Sequence, residues 1–526
     1  MRGLTRAIAA HRQGRLAEAA ALYRDVLARD PGHARAMALL GALELQRGRV
    51  AEAEALLADA LRRDPADAEA RANHATALGL LGRPAEALAA LEAVPGEALL
   101  AEQGRLLAEL GRFAEALTIL DRATPTAEAL ASRGLALAGL ARPADALAAF
   151  DAALALRPGH ARTLYNRANA LADLGQADAA LAGYDQAIAH KPDYAQALNN
   201  RGSLLVDMQR LPEAAISFAR SLAIRPNDGE TRFNDGLLRL MRGDWQRGWE
   251  GFEARWRSGA HKGLARDTPP WRGEDIAGRT ILLNAEQGFG DTLQFCRYVP
   301  LVAARGARVV LEVQPPLVRL LSGLGTVVAR GDPLPPFDVQ CPLMSLPRAF
   351  GTTEATIPAA VPYLTAAPRP VAGGRPRIGL AWSGNAAHRN DSRRSLPAAM
   401  LAPLLGVAGT VFSLQRDLRP DDAAWVAAHL ADRHFGEELR DFADTASLVA
   451  AMDLVITVDT AIAHLAGAMG KPVWILLPFR GVDWRWQLER RDSPWYPTAR
   501  LFRQPAPDDW ASVIAALAED LCHFGA

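Results

Sequence analysis

The hydrophobic positions in the first half of the chain recur with a long, regular period. Prolines end successive blocks at Pro158, Pro192 and Pro226, each 34 residues after the one before. Within a block such as GRLAEAAALYRDVLARDP, alanine and leucine recur at helical spacing, and the leading glycine stands where one helix stops and the chain turns. The pattern predicts about eight pairs of helices over residues 1–258.

The repeated blocks resemble the tetratricopeptide repeat in period and in the placement of glycine, small residues and proline. The resemblance implies stacked helical pairs with a concave groove that holds a segment of another protein, and a plain spacer is the alternative. Candidate groove residues are Asn166, Asn169, Asn199 and Asn200, whose amides would hold the backbone of an extended peptide by paired hydrogen bonds. For each asparagine the alternative is a solvated surface position or a helix cap.

The second half changes to short apolar runs of strand length that alternate with helical patterns. It begins with the strand ILLNAE and ends with a helix in DWASVIAALAEDLCHF, and a proline-rich stretch from about Pro333 to Pro376 divides it into two sets. Such alternation predicts parallel sheets with helices on both faces. The predicted fold class is therefore α plus α/β, an α-solenoid of repeats followed by two Rossmann-like lobes. The predicted boundaries are 1–258 for the repeats, 259–278 for a linker, 279–366 for a short first lobe and 367–526 for the second lobe.

Polar residues cluster where the predicted strands end, which is where parallel sheets bind ligands. One cluster follows the strand RIGLAW, and its amides and guanidinium groups suit a pyrophosphate or a nucleoside monophosphate. A solvated basic loop is the alternative, and Gln415 after the strand TVFSLQ is a weaker candidate for contact with a base or ribose. The candidate donor-binding residues of this cluster are Ser383, Gly384, Asn385, His388, Arg389, Asn390, Arg393 and Arg394.

Another cluster, Asp459, Thr460 and His464, lies at the predicted start of a helix near Ala461. A helix N-terminus carries free N–H groups and partial positive charge, which suit a diphosphate or a sugar nucleotide. His464 is placed to donate to a phosphate or sugar oxygen, and the alternative is capping with a packed histidine. The surrounding segment, LVAAMDLVITVDTAIAHLAGAMGKPVWILLP, resembles the nucleotide-sugar lobe of GT-B glycosyltransferases, above all the heptosyltransferase-like family 9 group. The resemblance implies donor binding by these three residues.

The stretch QGFGDTLQF after the first strand matches the Gly-Asp loop of the same family. The resemblance implies that Asp291 is the general base for the acceptor hydroxyl. It also implies that Gln287, Gly288 and Gly290 form a loop whose backbone closely approaches the acceptor. An aspartate without neighbours titrates near ~3.9, so we expect Asp291 to be ionised, and a helix N-cap is its alternative role. The longer phrase from GFEARW to CRYVPL is similar to bacterial glycosyltransferases fused to tetratricopeptide repeats, some of which modify flagellin.

The composition limits the classes of binding partner and the cellular compartments that the sequence favours. Lys plus Arg and Asp plus Glu both number 59, so the zero net charge gives no indication of a nucleic-acid or anionic-membrane partner. Dispersed cysteines and the lack of a signal-peptide core or an apolar run of ~18 residues predict a cytoplasmic protein without a membrane span. No DxD carboxylate pair occurs, so we expect no metal and no cofactor. Trp484, Trp486 and Trp495 either stack on a sugar or base or pack in the core.

Together these patterns predict a glycosyltransferase that moves a sugar from a nucleotide sugar to a protein acceptor held by the repeats. By resemblance, serine or threonine hydroxyls of flagellin are the first acceptor to test. Two other functions stay open, an inactive scaffold that binds proteins and a transferase that acts on a lipid-linked glycan.

Overall fold

The computed structural model describes residues 2–92, 99–257, 268–387, 390–406 and 409–524, which fall into two units, Met1–Arg201 and Gly202–Ala526. The first unit consists of helices that pack in consecutive pairs. Gly14 and Gly48 both adopt φ near +74° between the two helices of a pair, a conformation that glycine takes without strain. The helices are α1 (Arg2–Arg12), α2 (Leu16–Arg29), α3 (Ala34–Gln46), α4 (Val50–Arg63), α5 (Ala68–Leu80), α6 (Pro84–Glu92), α7 (Leu100–Glu109), α8 (Phe113–Leu120), α9 (Ala127–Gly139), α10 (Pro143–Leu156), α11 (Ala161–Asp173), α12 (Ala177–His190) and α13 (Ala195–Asp207), whose last turns enter the second unit.

The second unit begins with the end of the helical pairs. Its helices α14 (Leu211–Ile224), α15 (Gly229–Met241) and α16 (Trp245–Phe252) are followed by a 3₁₀ turn, Glu253–Trp256. Trp245 and Trp249 of α16 are buried against Trp484 and Trp495 from the far end of the chain, with ring centroids 5.2–6.5 Å apart. Trp495 is therefore a packing residue, whereas Trp484 packs in the same core and also lines the cavity described below.

The first sheet has four parallel strands in the order β3-β2-β1-β4. Strand β4 lies inside the proline-rich stretch where no strand was predicted, and it pairs with β1 through residues 339–342. Its short length and terminal proline explain the omission, since proline weakens a strand pattern. The elements are β1 (Thr280–Asn284), α17 (Phe289–Phe295), α18 (Val299–Ala303), β2 (Arg308–Val313), α19 (Val318–Leu321), β3 (Thr326–Ala329), β4 (Val339–Pro342) and α20 (Leu346–Ala349).

The described part of the predicted linker packs on this first sheet. The backbone N–H of Trp271 donates to Gln340 of β4 over 2.7 Å, and the Trp271 ring lies 5.7 Å from that of Phe350. Ile276 is fully buried in the same core. Residues 268–278 therefore extend the first lobe, and residues 259–267 of the predicted linker lie outside the described residues.

The second sheet has five parallel strands in the order β6-β5-β7-β8-β9. Strand β9 was not predicted, and the expected helix SLPAAMLAPLLG is a 3₁₀ helix, Ala398–Gly406, with Pro403 inside it. The predicted fold class, helical repeats followed by two α/β lobes, is confirmed. The elements are β5 (Arg377–Ala381), α21 (Asp391–Arg394), β6 (Thr410–Ser413), α22 (Pro420–His429), α23 (Phe442–Ala450), β7 (Leu454–Val458), α24 (Ala461–Ala468), β8 (Val473–Leu477), β9 (Ala499–Arg503) and α25 (Trp510–Leu521). Among all the helices described, none is both long and apolar enough to span a bilayer.

The packing of α16 into the core of the lobes predicts a large effect of Trp249. Its ring is buried, and its indole N–H donates to the carbonyl of Thr352 over 2.8 Å. Trp249→Ala should lower the free energy of unfolding of the second unit by about 3–5 kcal/mol, because a cavity and an unpaired carbonyl remain. Denaturant unfolding followed by circular dichroism measures the change. Ile216→Ala is the control, since Ile216 is 60% exposed, and equal effects of the two substitutions would contradict the packing role.

Candidate active site

A cavity of about 1330 Å³ opens within the second unit, with walls from both sheets and from helices α13 to α15. The first-lobe wall is the loop after β1, and the second-lobe wall is made of the loops after β5, β6, β7 and β8. Both lobes thus present the carboxyl ends of their strands, as parallel sheets do at ligand sites. The predicted site residues that line the cavity are Gln287, Gly288, Gly290, Asp291, Ser383, Gly384, Asn385, Asn390, Arg394, Gln415, Asp459, Thr460 and His464.

Asp291 is engaged on both of its carboxylate oxygens. Oδ2 accepts the backbone N–H of Gly288, the N-cap residue of α17, over 2.9 Å, and Oδ1 forms an ion pair with Nη2 of Arg485. Burial raises the pKa of Asp291, while the Arg485 guanidinium lowers it. The expectation of an aspartate without neighbours is therefore wrong, because Asp291 stabilises the start of its helix and also faces the cavity.

Gly290 lets the first lobe approach the second lobe closely. A Cβ atom at this position would lie 2.6 Å from Cδ2 of His464 and 3.6 Å from Cα of Ala461. Helices α17 and α24 therefore meet through a residue without a side chain. At Gly290 the backbone of the Gly-Asp loop closely approaches the second lobe, where the resemblance implied an approach to the acceptor. This contact brings Asp291 near the start of α24.

Arg485 joins the two lobes, and sequence reasoning missed it. Its side chain is 5% exposed, and Nη1 lies 2.8 Å from Oδ2 of Asp483 in its own lobe. Nε donates to Oε1 of Gln294 in the first lobe, next to the ion pair with Asp291. Its guanidinium also lies 4.7 Å from the ring centroid of Trp484. An arginine between two tryptophans in DWRWQ was the available signal, since arginine favours buried ion pairs and aromatic faces.

Asp459 and Thr460 stand at the N-terminus of α24. Thr460 is the N-cap, and its Oγ1 accepts the N–H of Ile462 over 3.3 Å. The carbonyl of Asp459 accepts a hydrogen bond from Nη1 of Arg394 over 2.9 Å. Burial, followed by the negative charge of Asp483, raises the pKa of Asp459 to about 6. This carboxyl group therefore changes its charge near neutral pH.

His464 is packed and also faces the cavity. Its Nδ1 lies 2.9 Å from the hydroxyl of Tyr496, and its ring stacks on Trp486 with centroids 5.5 Å apart. Burial, followed by the positive charge of Arg485, lowers the pKa of His464 well below its ordinary value. A neutral ring has one N–H to donate, so His464 cannot offset phosphate charge as an imidazolium.

The loop after β5 only partly matches its predicted role. Arg394 lines the cavity, whereas Arg393 does not, since its Nη1 forms an ion pair with Oδ2 of Asp207 in α13 over 2.9 Å. Arg393 therefore connects the second lobe to the helical pairs. The Oδ1 atom of Asn385 accepts the N–H of Ala387 over 3.0 Å and shapes the loop. His388 and Arg389, also predicted here, lie outside the described residues.

Gln415 is bonded to backbone rather than offered to a base or ribose. Its Nε2 donates to the carbonyl of Ser383 over 3.0 Å, and its Oε1 accepts the N–H of Ser383 over 3.4 Å. These bonds tie the end of β6 to the end of β5. Gln415 therefore shapes the cavity wall that it lines, and its predicted contact with a base or ribose stays a prediction.

Arg480 is a cavity residue that sequence reasoning did not single out. It follows β8 closely and lines the same wall as Arg394. Among the described residues, Arg480 has neither a hydrogen bond nor an ion-pair partner. A guanidinium without a protein counter-charge at the edge of a cavity suits an anionic group. Its position after a strand, in LLPFRG, was the available signal.

A buried ion pair holds the loop after β1 from behind. Arg255, in the 3₁₀ turn after α16, and Glu286, just after β1, have fully buried side chains, with Nε and Oε2 2.8 Å apart. Nη2 of Arg255 also donates to Oε1 of Glu286 over 2.9 Å and to Oγ of Ser345 over 2.7 Å. The last helical pair therefore positions the residue that precedes Gln287.

Three of the four candidate groove asparagines, Asn169, Asn199 and Asn200, form hydrogen bonds with one another, and Asn169 and Asn200 also bond to tyrosines. Oδ1 of Asn169 accepts from the Tyr184 hydroxyl over 2.7 Å and from Nδ2 of Asn200 over 3.0 Å. Asn199 is 5% exposed, so its amide lies away from solvent, and Asn166 is partly exposed. Asn169, Asn199 and Asn200 are thus neither helix caps nor simple surface residues, because they lie inside α11 and α13.

Comparison with known families agrees with this architecture. Residues 10–77 and, in overlapping matches, 101–161, 132–187 and 165–229 match the tetratricopeptide repeat. Residues 440–476, which contain β7, α24 and the start of β8, match glycosyltransferase family 9 (heptosyltransferase). The chain therefore combines tetratricopeptide repeats with a region like glycosyltransferase family 9, which confirms the resemblance inferred from the sequence.

The chain is similar to Protein FlbA of Caulobacter vibrioides, with 26% identity over 333 residues that cover 56% of this chain and 55% of FlbA. The chain thus spans about half the length of the curated relative that it matches. Among solved structures, the APC/C hetero-tetramer Cut9-Hcn1 has a TM-score of 0.41 and 19% identity, over 44% of this chain and 48% of that one. A tetratricopeptide repeat protein from Parabacteroides merdae has a TM-score of 0.38 and 15% identity, over 45% of this chain and 97% of that one.

The buried Arg255–Glu286 pair predicts that a single and a double substitution change the stability differently. Arg255→Met should lower the free energy of unfolding by about 3–5 kcal/mol, because it leaves the Glu286 carboxylate buried without its cation. The double variant Arg255→Met/Glu286→Met should recover most of the loss, since no buried charge remains. Denaturant unfolding measures both variants. Arg247→Met is the control, as the side chain of Arg247 is 72% exposed. A double variant as unstable as the single one would show that the charge is not the cause.

Proposed function

We propose that this protein is a glycosyltransferase that moves a sugar from a nucleotide sugar to a hydroxyl group of a protein. The observation that supports it most is that Asp291, from the first lobe, and the N-terminus of α24, from the second, line one cavity. A base and an anion site that face a common space are what transfer from a phosphate leaving group requires. The match to glycosyltransferase family 9 over the segment that contains α24 supports the same reaction class.

The second lobe holds the donor in this proposal. The diphosphate lies at the N-terminus of α24, where Thr460, Ala461 and Ile462 face the cavity and the helix end carries partial positive charge. Arg394 and Arg480 supply positive charge from the loops on either side. These cations and the helix end offset the charge that develops on the leaving phosphate, so we propose transfer without a metal or another cofactor.

Asp291 acts as the base in the proposed step. The acceptor hydroxyl oxygen bonds to the anomeric carbon of the sugar while the bond from that carbon to the phosphate oxygen breaks. The hydroxyl proton passes to the carboxylate of Asp291, and the nucleotide leaves with the bonding electrons. Arg485 favours the ionised carboxylate against the effect of burial, so Asp291 is able to accept the proton.

The proposed acceptor is a protein, because tetratricopeptide repeats are surfaces for protein segments. Flagellin, through serine or threonine, is the first acceptor to test, by the resemblance given in the sequence analysis. We propose the cytoplasm as the compartment. The three cysteines are free, and Cys296 and Cys341 are buried thiols, which fits a reducing environment.

A protein-binding scaffold without transferase activity is the second candidate. It is favoured by the double engagement of Asp291, whose contacts with Gly288 and Arg485 also suit a purely structural carboxylate. Incubation with UDP-, GDP-, CMP- and ADP-sugars and flagellin, read by intact mass, separates the two functions. A mass increase of one sugar supports the transferase, and an unchanged mass with every donor supports the scaffold.

The role of Asp291 as a base predicts a large loss of rate with little loss of binding. Asp291→Asn should lower the transfer rate by about 10²–10⁴-fold, since the amide cannot take the proton. Thermal-shift titration with the active nucleotide should still detect binding, because the donor lies on the other lobe. Asp432→Asn is the control in the same unit, with a side chain that is 84% exposed. A variant that retains full transfer would exclude Asp291 as the base.

The Arg485–Asp291 ion pair predicts a shift in the pH profile. Arg485 lowers the pKa of Asp291, so its removal raises that pKa and reduces the ionised fraction at a given acidic pH. The acid limb of kcat/KM in Arg485→Met should therefore move to higher pH, by about one to three units. Activity should return as the pH rises, whereas a misfolded variant would stay inactive. Arg485→Lys keeps the charge and should shift less, and identical limbs in all three proteins would refute the pairing.

A further inference from the structure

We infer that one wall of the cavity, formed by Val206, Phe233, Leu237 and Met241, binds the acceptor as an extended polypeptide segment with an apolar side chain beside the reacting hydroxyl. This apolar wall comes from α13 and α15, the last helices of the repeats. The inference rests on the proposed function, since it assigns the second substrate of the same cavity.

The charge of the cavity lining separates two subsites. The second-lobe wall carries both signs of charge. Arg416, Arg419 and Arg485 there are paired with aspartates, whereas Arg480 has no ion-pair partner among the described residues. The charged residues of this wall are Arg394, Arg416, Arg419, Arg480, Arg485, Asp417, Asp441, Asp459 and Asp483. No described residue of α13 to α15 that lines the cavity is a cation, and the only carboxylate there, Asp207, forms an ion pair with Arg393. An anionic donor therefore finds a cation without a protein counter-charge, Arg480, on the second-lobe wall and finds no cation on the apolar wall. The volume of about 1330 Å³ exceeds the ~300–1,000 Å³ of ordinary small-molecule sites, which leaves room for a second substrate.

The apolar wall is an accessible surface rather than a sealed core. Val206, Phe233 and Leu237 are partly exposed, whereas Met241, at the end of the wall, is 8% exposed and the neighbouring Leu240 is fully buried. When a ligand covers partly exposed apolar side chains, apolar surface is removed from water, and this burial stabilises the complex. The wall is also held in place, because Phe233 packs on Phe252 with ring centroids 5.4 Å apart. A preorganised surface binds with less loss of conformational entropy.

The spacing along α15 matches a short extended peptide. Phe233, Leu237 and Met241 are four residues apart, so they follow one face of the helix over about 12 Å. That length corresponds to about three to four residues of extended chain. The same wall contains Asn234 and Ser203, whose side chains are 3.3 Å apart. Amide and hydroxyl groups among apolar residues suit a peptide, which carries its own hydrogen-bonding groups, better than they suit the hydrocarbon chain of a lipid-linked glycan.

Two labelled peptides test the apolar wall without a nucleotide sugar. Fluorescein-Gly-Leu-Ser-Leu-Gly should bind the full chain at least about tenfold more tightly than fluorescein-Gly-Asn-Ser-Asn-Gly, by fluorescence anisotropy. Leu237→Asn, which nearly conserves volume, should remove this preference. Leu237→Ala should weaken the preference for the leucine peptide. This second variant tests the same contact if Leu237→Asn fails to fold. Ile216→Asn is the matched control, because Ile216 on α14 is 60% exposed and does not line the cavity, and it should keep the preference.

The possible results separate this inference from the proposed function. Donor turnover by the wild-type protein without a peptide preference overturns the apolar wall and leaves the transferase standing. A preference that Leu237→Asn removes, without turnover of any donor, supports the wall and contradicts transfer. Equal loss of peptide and nucleoside diphosphate binding in Leu237→Asn assigns the wall to the donor and overturns the inference. Displacement of the peptide by a prenyl-diphosphate-linked N-acetylglucosamine at lower concentration than by unlabelled peptide also overturns it.

Discussion

The arrangement of the two lobes depends on one buried cation, Arg485, and on its need for counter-charges. A guanidinium away from water is strongly destabilising unless carboxylates and hydrogen-bond acceptors surround it. Arg485 finds Asp483 in its own lobe, but it takes Asp291 and Gln294 from the other. Satisfying this cation therefore holds the loop after β1 against the second lobe. The cavity exists where it does because this contact and the close approach at Gly290 fix the separation of the two sheets.

The contact that holds the lobes also sets the chemistry of Asp291. Burial raises the pKa of Asp291 and is the larger influence, while the ion pair with Arg485 lowers that pKa. The two influences oppose each other at one group. Trp484 and Phe295, whose rings face the Arg485 guanidinium, exclude water and strengthen both influences. The contact between the lobes and the protonation of Asp291 are therefore linked at this position.

Local periodicity made the helical pairs and most strands predictable from the sequence, and strand ends indicated the loops of the cavity. Contacts between distant segments were not predictable in this way. Arg485 and Asp291 are 194 residues apart, and no local pattern indicates that they pair. Gln415 has the chemistry of a ligand contact, but its amide is used by the neighbouring strand end. Strand β4 is too short to be recognised as a hydrophobic run in the sequence. It is stabilised as a strand by its pairing with β1.

The aromatic residues of α16 have a consequence for how such proteins are recombined. Trp245 and Trp249 belong to the repeat pattern by sequence, but their rings complete the core of the two α/β lobes. A crossover placed where the repeat pattern ends would remove part of that core from the lobes. A crossover within α13 would keep it, since the division between the two units falls there. The helices ahead of α13 thus form a unit whose length is set independently of that core, while the final helical pairs and the lobes share one core.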